Sequence, residues 1–277
     1  MSLVRGSRAL VLGAGLVAMG CDVAAENAEI STESPALAPQ GGPAGSGGIN
    51  GASPAAYHAN VEALLVALAA PAADPSDAFS VNPAIEATGL LATSGGREVF
   101  RYATRCALPA GTHLESGNEV YQGAGILTTT SGWLTAGLAT AGQEDVLTCL
   151  VAHLNPLGAQ VPIFLSGPSV ARTEDGEDLG FSVEEALWQA QIPGPGQAPV
   201  YYAWPRVNLL SSCGLFTQLS WITRICGSLL NTCGVTVRFD MASACVGSEG
   251  NFTCNGRPAI QTTLEPAGLC DLHLLLL

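Results

Sequence analysis

The sequence predicts an α+β fold that is braced by disulfides and ends in a cysteine-rich region. Segments with helical spacing of apolar residues alternate loosely with strand-like runs, without the regular βα repeat of a parallel sheet. The chain has nine cysteines, and six of them fall between Cys213 and Cys270. Such a density is typical of exported domains that are stapled by disulfides.

Three segments have the apolar spacing of amphipathic helices and turn residues at their ends. They read "AAYHANVEALLVALAAP", "GREVFRYATRCALPAG" and "AGQEDVLTCLVAHLNPLG". Cys106 lies on the apolar face of the second segment and Cys149 on that of the third, so we expect a Cys106–Cys149 disulfide to clamp these two helices together. A further short helix is predicted for "SVEEALWQAQ".

Strand-like runs lie between and after the predicted helices. They read "NEVYQGAGILTTT", "QVPIFLSG" and "APVYYAWP", and each is rich in β-branched, aromatic or other apolar residues. Together with the helices, these runs support the α+β assignment.

The first residues carry two competing patterns. Gly13, Gly15 and Ala18 fit the glycine pattern of a dinucleotide site, but the stretch after them is rich in proline, glycine and serine and supplies no helix for a βαβ unit. The alternative is an export signal, with a basic start at Arg5 and Arg8 and an apolar run that is too short to span a bilayer.

The end of that run, "VAMGC", resembles the lipobox of bacterial lipoproteins. The resemblance implies that the signal is removed before Cys21, that the Cys21 thiol is diacylated and that the acyl chains anchor the protein. Assigning Cys21 to lipid leaves eight cysteines, enough for four disulfides. These disulfide candidates are Cys106, Cys149, Cys213, Cys226, Cys233, Cys245, Cys254 and Cys270. If Cys106 pairs with Cys149, the remaining six allow 15 connectivities.

The predicted organisation has four parts. Residues 1–20 are the signal peptide, and residues 21–56 are the lipidated N-terminus and a flexible linker. Residues 57–205 form the α+β domain. Residues 206–277 form the cysteine-rich region, which we expect to pack on the same domain.

The charge narrows the range of partners. The formal net charge is −13, and such a surface repels nucleic acid backbones and anionic headgroups. We therefore expect that the protein does not bind nucleic acid. We also expect that it contacts the membrane through the lipid alone. Other envelope proteins or glycans are the remaining candidate partners, at an inner or outer membrane of the cell envelope.

No catalytic motif is present in the sequence. The nucleophile elbow is absent, because "VGSEG" has valine in place of the first glycine. His113 is the candidate for an assembled acid/base or cation site, since Glu115 and Glu119 follow it at strand-like spacing. An exposed polar strand explains the same residues. His153, in the last turn of its predicted helix, is expected to be structural.

Metal and cofactor signals are weak. No closely spaced cysteine pair typical of zinc sites occurs, and we expect neither a metal nor a cofactor. The acidic loop "TEDGEDLG" offers oxygen ligands suited to calcium. Its candidate ligands are Glu174, Asp175, Glu177 and Asp178.

The sequence therefore predicts a lipid-anchored envelope protein with a structural or interaction role. Its overall composition resembles that of uncharacterised lipoproteins of GC-rich bacteria, a resemblance that implies no activity. A secreted hydrolase with a His/carboxylate site is one alternative. The other is a glycan-binding module, which requires several exposed aromatic side chains on one face. The candidates for such a face are Tyr201, Tyr202, Trp204, Trp133, Trp188 and Trp221.

Overall fold

The computed structural model describes residues 47–155, 161–171, 180–181, 183–206, 234–248 and 250–264. Helices and two mixed sheets make up this part of the chain, which confirms the predicted α+β class. None of its helices has the length and apolarity needed to cross a membrane.

The first helix, α1 (Pro54–Leu68), has the local signals of a helix start and stop. The Ser53 hydroxyl accepts a hydrogen bond from the backbone N–H of Ala56 at 3.3 Å, and Pro54 occupies the first helical position. The helix ends at Leu68, three residues before Pro71, the proline that closes the predicted helical segment. The Tyr57 hydroxyl is 2.8 Å from that of Tyr201, which lies on a strand of the larger sheet.

Two more helices follow, α2 (Pro83–Glu86) and α3 (Ser94–Ala107). Thr93 caps α3 by accepting a hydrogen bond from the N–H of Gly96 at 3.0 Å. Gly96 leaves no room for a side chain, because a Cβ there would lie 1.8 Å from the carbonyl oxygen of Leu90.

The fourth helix, α4 (Thr140–Ala152), is joined covalently to α3. Cys106 of α3 and Cys149 of α4 form a disulfide with a Cα–Cα distance of 6.2 Å, and both residues are fully buried. The predicted Cys106–Cys149 clamp is therefore confirmed.

A four-stranded sheet lies beside the helices. Its strands, in both chain order and spatial order, are β2 (Ala73–Asp74), β3 (Asp77–Val81), β4 (His113–Ser116) and β5 (Glu119–Gln122). The pairing of β3 with β4 is parallel and the other two pairings are antiparallel.

The larger sheet has eight strands. In chain order they are β1 (Gly47–Asn50), β6 (Val161–Ser166), β7 (Val183–Gln191), β8 (Val200–Pro205), β9 (Val235–Val237), β10 (Cys245–Ser248), β11 (Asn251–Cys254) and β12 (Arg257–Leu264). The spatial order is β1-β6-β12-β7-β8-β9, and the β10–β11 hairpin pairs with β12 through β11. The predicted strands "QVPIFLSG" and "APVYYAWP" are confirmed as β6 and β8. Gly47–Asn50, which the sequence analysis places in the linker, pairs with β6 as an edge strand.

The predicted helix "SVEEALWQAQ" is wrong, because Val183–Gln191 is strand β7. Seven of its nine residues are buried, since β7 is covered on both faces. A strand of this kind shows a continuous apolar run, and periodicity cannot distinguish such a run from a buried helix. Residues 183–191 form a strand because they pair with β12 on one side and β8 on the other.

The predicted strand "NEVYQGAGILTTT" is right only over Glu119–Gln122. Gly123 then packs against backbone, where a Cβ would lie 2.3 Å from the carbonyl oxygen of Pro109, and Gly125 has a φ of +68°. These two glycines turn the chain away from the sheet. Only Leu127 forms a further bridge, with Val170.

The larger sheet separates two apolar cores. The main core lies between the helices and one face of the sheet, and it includes Trp133 and Trp188. The second core lies under the β10–β11 hairpin and contains Leu187, Trp204 and Phe252. A short helix, α5 (Met241–Ala244), leads into that hairpin and packs against the second core.

A buried polar chain crosses the centre of the larger sheet. The register between β7 and β12 shifts at Glu185, which is an extra residue on β7. The Trp188 indole N–H donates to the Thr262 hydroxyl at 2.8 Å, and that hydroxyl donates to a Glu185 carboxylate oxygen at 2.7 Å. All three residues are fully buried.

Candidate functional site

A groove lies beside the N-terminal end of α4, where this helix meets the end of β7 and the start of β12. Its volume is about 520 Å³. Most of the wall is apolar and is formed by alanines together with Leu138 and Pro258. Three charged side chains converge on this wall, namely Glu144, Asp145 and Arg257.

Glu144 fixes α4 to both strands that border the groove. One of its carboxylate oxygens accepts the backbone N–H of Ile192 at 2.8 Å and the Arg257 guanidinium at 2.6 Å. One turn later, the Thr148 hydroxyl accepts the backbone N–H of Ala190 at 2.9 Å. These three bonds join helix and sheet beside the groove.

Asp145 is a charged residue of the groove whose pKa is shifted from its ordinary value. Burial raises the pKa of its carboxyl above 3.8, although the Thr129 hydroxyl, which donates to it at 2.7 Å, and the Ser169 hydroxyl act in the opposite direction. The carboxylate accepts up to about four hydrogen bonds, and Thr129 fills one of these positions. A half-buried carboxyl beside an apolar wall is a candidate group for contact with a hydrogen-bond donor or a cation.

The groove was not predicted from the sequence. In the sequence, Glu144 and Asp145 stand out only as acidic residues near the start of a predicted helix. Nothing in the sequence around Arg257 indicates a site. Glu144 and Arg257 are 113 residues apart in the chain, so only the tertiary fold brings them together.

Of the residues in the predicted His113 site, the structure brings His113 and Glu115 together but places Glu119 elsewhere. His113 Nε2 lies 3.7 Å from a Glu115 carboxylate oxygen on the outer face of β4, and its ring stacks on Phe79. Glu119 lies on β5 and pairs with Arg101 at 2.8 Å. Among the described residues, no serine, threonine or cysteine is hydrogen-bonded to His113. The arrangement is that of an exposed polar strand.

His153 lies in the main core. Its Nδ1 is 2.7 Å from the carbonyl oxygen of Cys149, one helical turn earlier. The ligand atoms of Cys106, Cys149 and His153 lie within 4.8 Å of one another, a spacing that a metal ion could use. Both sulfurs are bonded to each other in the disulfide, so they are not available as thiolate ligands.

The aromatic residues mostly fill the cores. Trp133, Trp188 and Trp204 are fully buried, and Tyr201 is 4% exposed. Tyr202 is partly buried and packs against the second core. Within the part of the chain that the structure describes, no group of exposed tryptophans forms the face that glycan binding would require.

Several predicted sites lie outside the described residues. They are the lipidation site Cys21, the disulfide candidates Cys213, Cys226, Cys233 and Cys270, the calcium candidates Glu174, Asp175, Glu177 and Asp178, and the aromatic Trp221. Cys245 and Cys254, in contrast, are described and form a disulfide across the β10–β11 hairpin.

Comparison with models of known protein families, with curated proteins and with solved structures found no match to this chain.

Proposed function

We propose that this chain is a lipid-anchored binding module of the bacterial cell envelope that holds a small ligand in the groove beside α4. The observation that carries the binding role is Asp145, a half-buried carboxyl with a raised pKa beside an apolar wall. The observation that supports the anchor is the lipobox-like "VAMGC" that ends at Cys21.

The groove favours a particular class of ligand. Its apolar wall suits an apolar body, and the Asp145 carboxylate suits an amine or another hydrogen-bond donor. The net charge of −13 favours cations over anions near the surface. A small amphiphilic amine therefore fits the groove better than a carboxylate or a phosphate does.

The hydrolase alternative has less support. A hydrolase of the predicted kind needs a nucleophile within hydrogen-bond reach of a histidine that a carboxylate orients. Among the residues that the structure covers, the side-chain contacts of His113 are the Glu115 carboxylate at 3.7 Å and the Phe79 ring, and neither is a nucleophile. A binding role needs no such constellation, which is why we favour it.

An NMR titration of the full chain in detergent tests the groove. We expect n-butylamine to shift the backbone amide signals of Gly142 and Asp145 more than n-butanol or n-butyrate does. Asp145→Asn is expected to weaken n-butylamine binding about tenfold or more, because a charge-assisted hydrogen bond is lost. Asp77→Asn, an exposed carboxylate on β3, is the matched control and should leave binding unchanged.

The result that would overturn the binding role is equal or absent responses of Gly142 and Asp145 to all three probes. A response that survives Asp145→Asn would place the amine elsewhere and would also contradict the proposal.

Metabolic labelling with an alkyne fatty acid tests the anchor. We expect the label and the membrane localisation to be lost in Cys21→Ala. A double variant, Cys245→Ala with Cys254→Ala, removes other cysteines without changing the lipobox and should keep both. Label and membrane localisation that persist in Cys21→Ala would contradict lipidation at this residue.

A further inference from the structure

The two described disulfides differ in their access to solvent. Cys106 and Cys149 are both fully buried between two helices in the main core. In the second disulfide Cys254 is fully buried, but Cys245 is partly exposed at the start of β10. Of these four cysteines, Cys245 is therefore the one that a thiolate from solvent can approach.

The strand that carries Cys245 is weakly held. Within the described part of the chain, β10 pairs only with β11, and Cys245 lies directly opposite Cys254 in that pairing. The three residues after Cys245 are exposed, and Val246 is 70% exposed. Little apolar burial holds β10 in place, so it is held to the hairpin by the disulfide and by its backbone pairing with β11.

The neighbouring strand β11 is held independently of the disulfide. It continues into β12 through a tight turn, in which Asn255 has a φ of +50° and Gly256 a φ of +74°. The Gln189 side-chain N–H donates to the carbonyl oxygens of Cys254 at 2.9 Å and Arg257 at 3.1 Å. Loss of the disulfide therefore leaves β11 in the sheet.

The chain before the hairpin is also anchored. The Trp204 indole N–H donates to an Asp240 carboxylate oxygen at 3.1 Å, just before α5. Between this anchor and β11, the segment Met241–Ser248 covers part of the second core through Met241, Ala244 and Cys245. Release of β10 would expose apolar side chains of that core, such as Phe252, and the hydrogen-bonding edge of β11.

We propose that Cys245–Cys254 is a thiol-reactive site and that its reduction opens the segment Met241–Ser248 while Cys106–Cys149 stays intact. A thiolate attacks the Cys245 sulfur, forms a mixed disulfide with it and displaces Cys254 as a thiolate. A second thiol then attacks the mixed disulfide, so that two cysteine thiols and one oxidised thiol pair result. The reductant is a small thiol or a protein dithiol.

Graded reduction of the full native chain by reduced glutathione tests the first half of the proposal. Thiols are trapped with iodoacetamide at successive times, and peptide mass spectrometry identifies the alkylated cysteines. Cleavage at arginine separates the two pairs, because Arg172 and Arg238 lie between them. We expect Cys245 and Cys254 to be alkylated about tenfold faster or more than Cys106 and Cys149, because access limits exchange. Equal rates, or earlier alkylation of Cys106 and Cys149, would overturn the proposal.

Hydrogen–deuterium exchange on the same partly reduced sample tests the second half. Amides of residues 241–248 are expected to exchange faster, while those of β12 keep their protection. The double variant Cys245→Ser with Cys254→Ser should reproduce this pattern without reductant. Unchanged exchange in residues 241–248 after reduction would overturn the opening, and equal loss of protection in β12 would show unfolding of the sheet instead.

Discussion

Thr262 joins two fully buried polar side chains of the larger sheet, those of Trp188 and Glu185. Its hydroxyl accepts from the Trp188 indole and donates to the Glu185 carboxylate, and the β-bulge aims that carboxylate inward. Buried polar groups of this kind cost free energy unless their hydrogen bonds are made. The chain therefore specifies how β7 and β12 pair, because a slip of one residue would separate these partners.

Thr262→Val should destabilise the protein measurably. Valine keeps the shape and removes both hydrogen bonds, so we expect the free energy of unfolding to fall by about 1–3 kcal/mol. Urea denaturation followed by tryptophan fluorescence measures the change. Thr263→Val is the matched control, since Thr263 is the next residue on β12 and is partly exposed. A loss as large in Thr263→Val would show that the hydroxyl chain is not the cause.

Asp145 should make the stability depend on pH in a defined direction. Burial raises the pKa of its carboxyl in the folded protein above the 3.8 of the unfolded chain. The folded state then binds more protons between these two pKa values, so this contribution to stability falls as the pH rises through that window.

Asp145→Asn should remove this contribution. We therefore expect the stability of the variant relative to the unchanged protein to increase as the pH rises above 3.8, the ordinary pKa of an aspartate. Urea unfolding at a series of pH values measures the difference. A difference that decreases with pH would mean that the folded protein lowers the pKa of Asp145 instead.

At the scale of elements, the two disulfides close loops of very different length. Cys106–Cys149 spans 43 residues and Cys245–Cys254 spans 9. A disulfide stabilises the folded protein because it restricts the unfolded chain. From the two loop lengths we expect about 4 kcal/mol for the first disulfide and about 2.5 kcal/mol for the second.

Paired Cys→Ala variants should follow that order. We expect removal of Cys106–Cys149 to lower the thermal midpoint more than removal of Cys245–Cys254 does, because the longer loop is released and two helices lose their clamp. Differential scanning calorimetry of the two double variants gives the comparison. The opposite order would mean that contacts of the hairpin, and not loop closure, dominate.

Local signals explain which elements could be predicted from the sequence. The cysteines of α3 and α4 lie on the apolar faces of segments with clear ends, so both helices and their disulfide were predictable. β7 was not predictable, because α4 covers one of its faces and the hairpin covers the other, and neither neighbour is visible in the local pattern. Gly123 likewise ends a strand through a distant contact with Pro109.

The candidate site was harder to predict than the fold. His113 and Glu115 are neighbours in sequence, and their strand-like spacing suggested a site that the structure leaves on an exposed strand face. The groove depends on Glu144 and Arg257, which meet only when β12 enters the sheet beside β7. Contacts at such a separation leave no periodicity in the sequence.

At the scale of the whole molecule, the proposed anchor and the described domain have separate tasks. The lipid at Cys21 would hold the protein at a membrane, and the domain would face away from anionic headgroups because the chain is acidic, with a formal net charge of −13 over its full length. The groove and the thiol-reactive hairpin would then meet ligands and thiols of the envelope.

The mass of the mature protein is the most direct test of this account. The full chain is expressed in a bacterial host, extracted from the membrane fraction and measured intact by mass spectrometry. We predict a chain that begins at Cys21 and carries the mass of a diacylglyceryl group on that residue. A chain that still begins at Met1, or one that begins elsewhere and carries no lipid, would contradict the central claim.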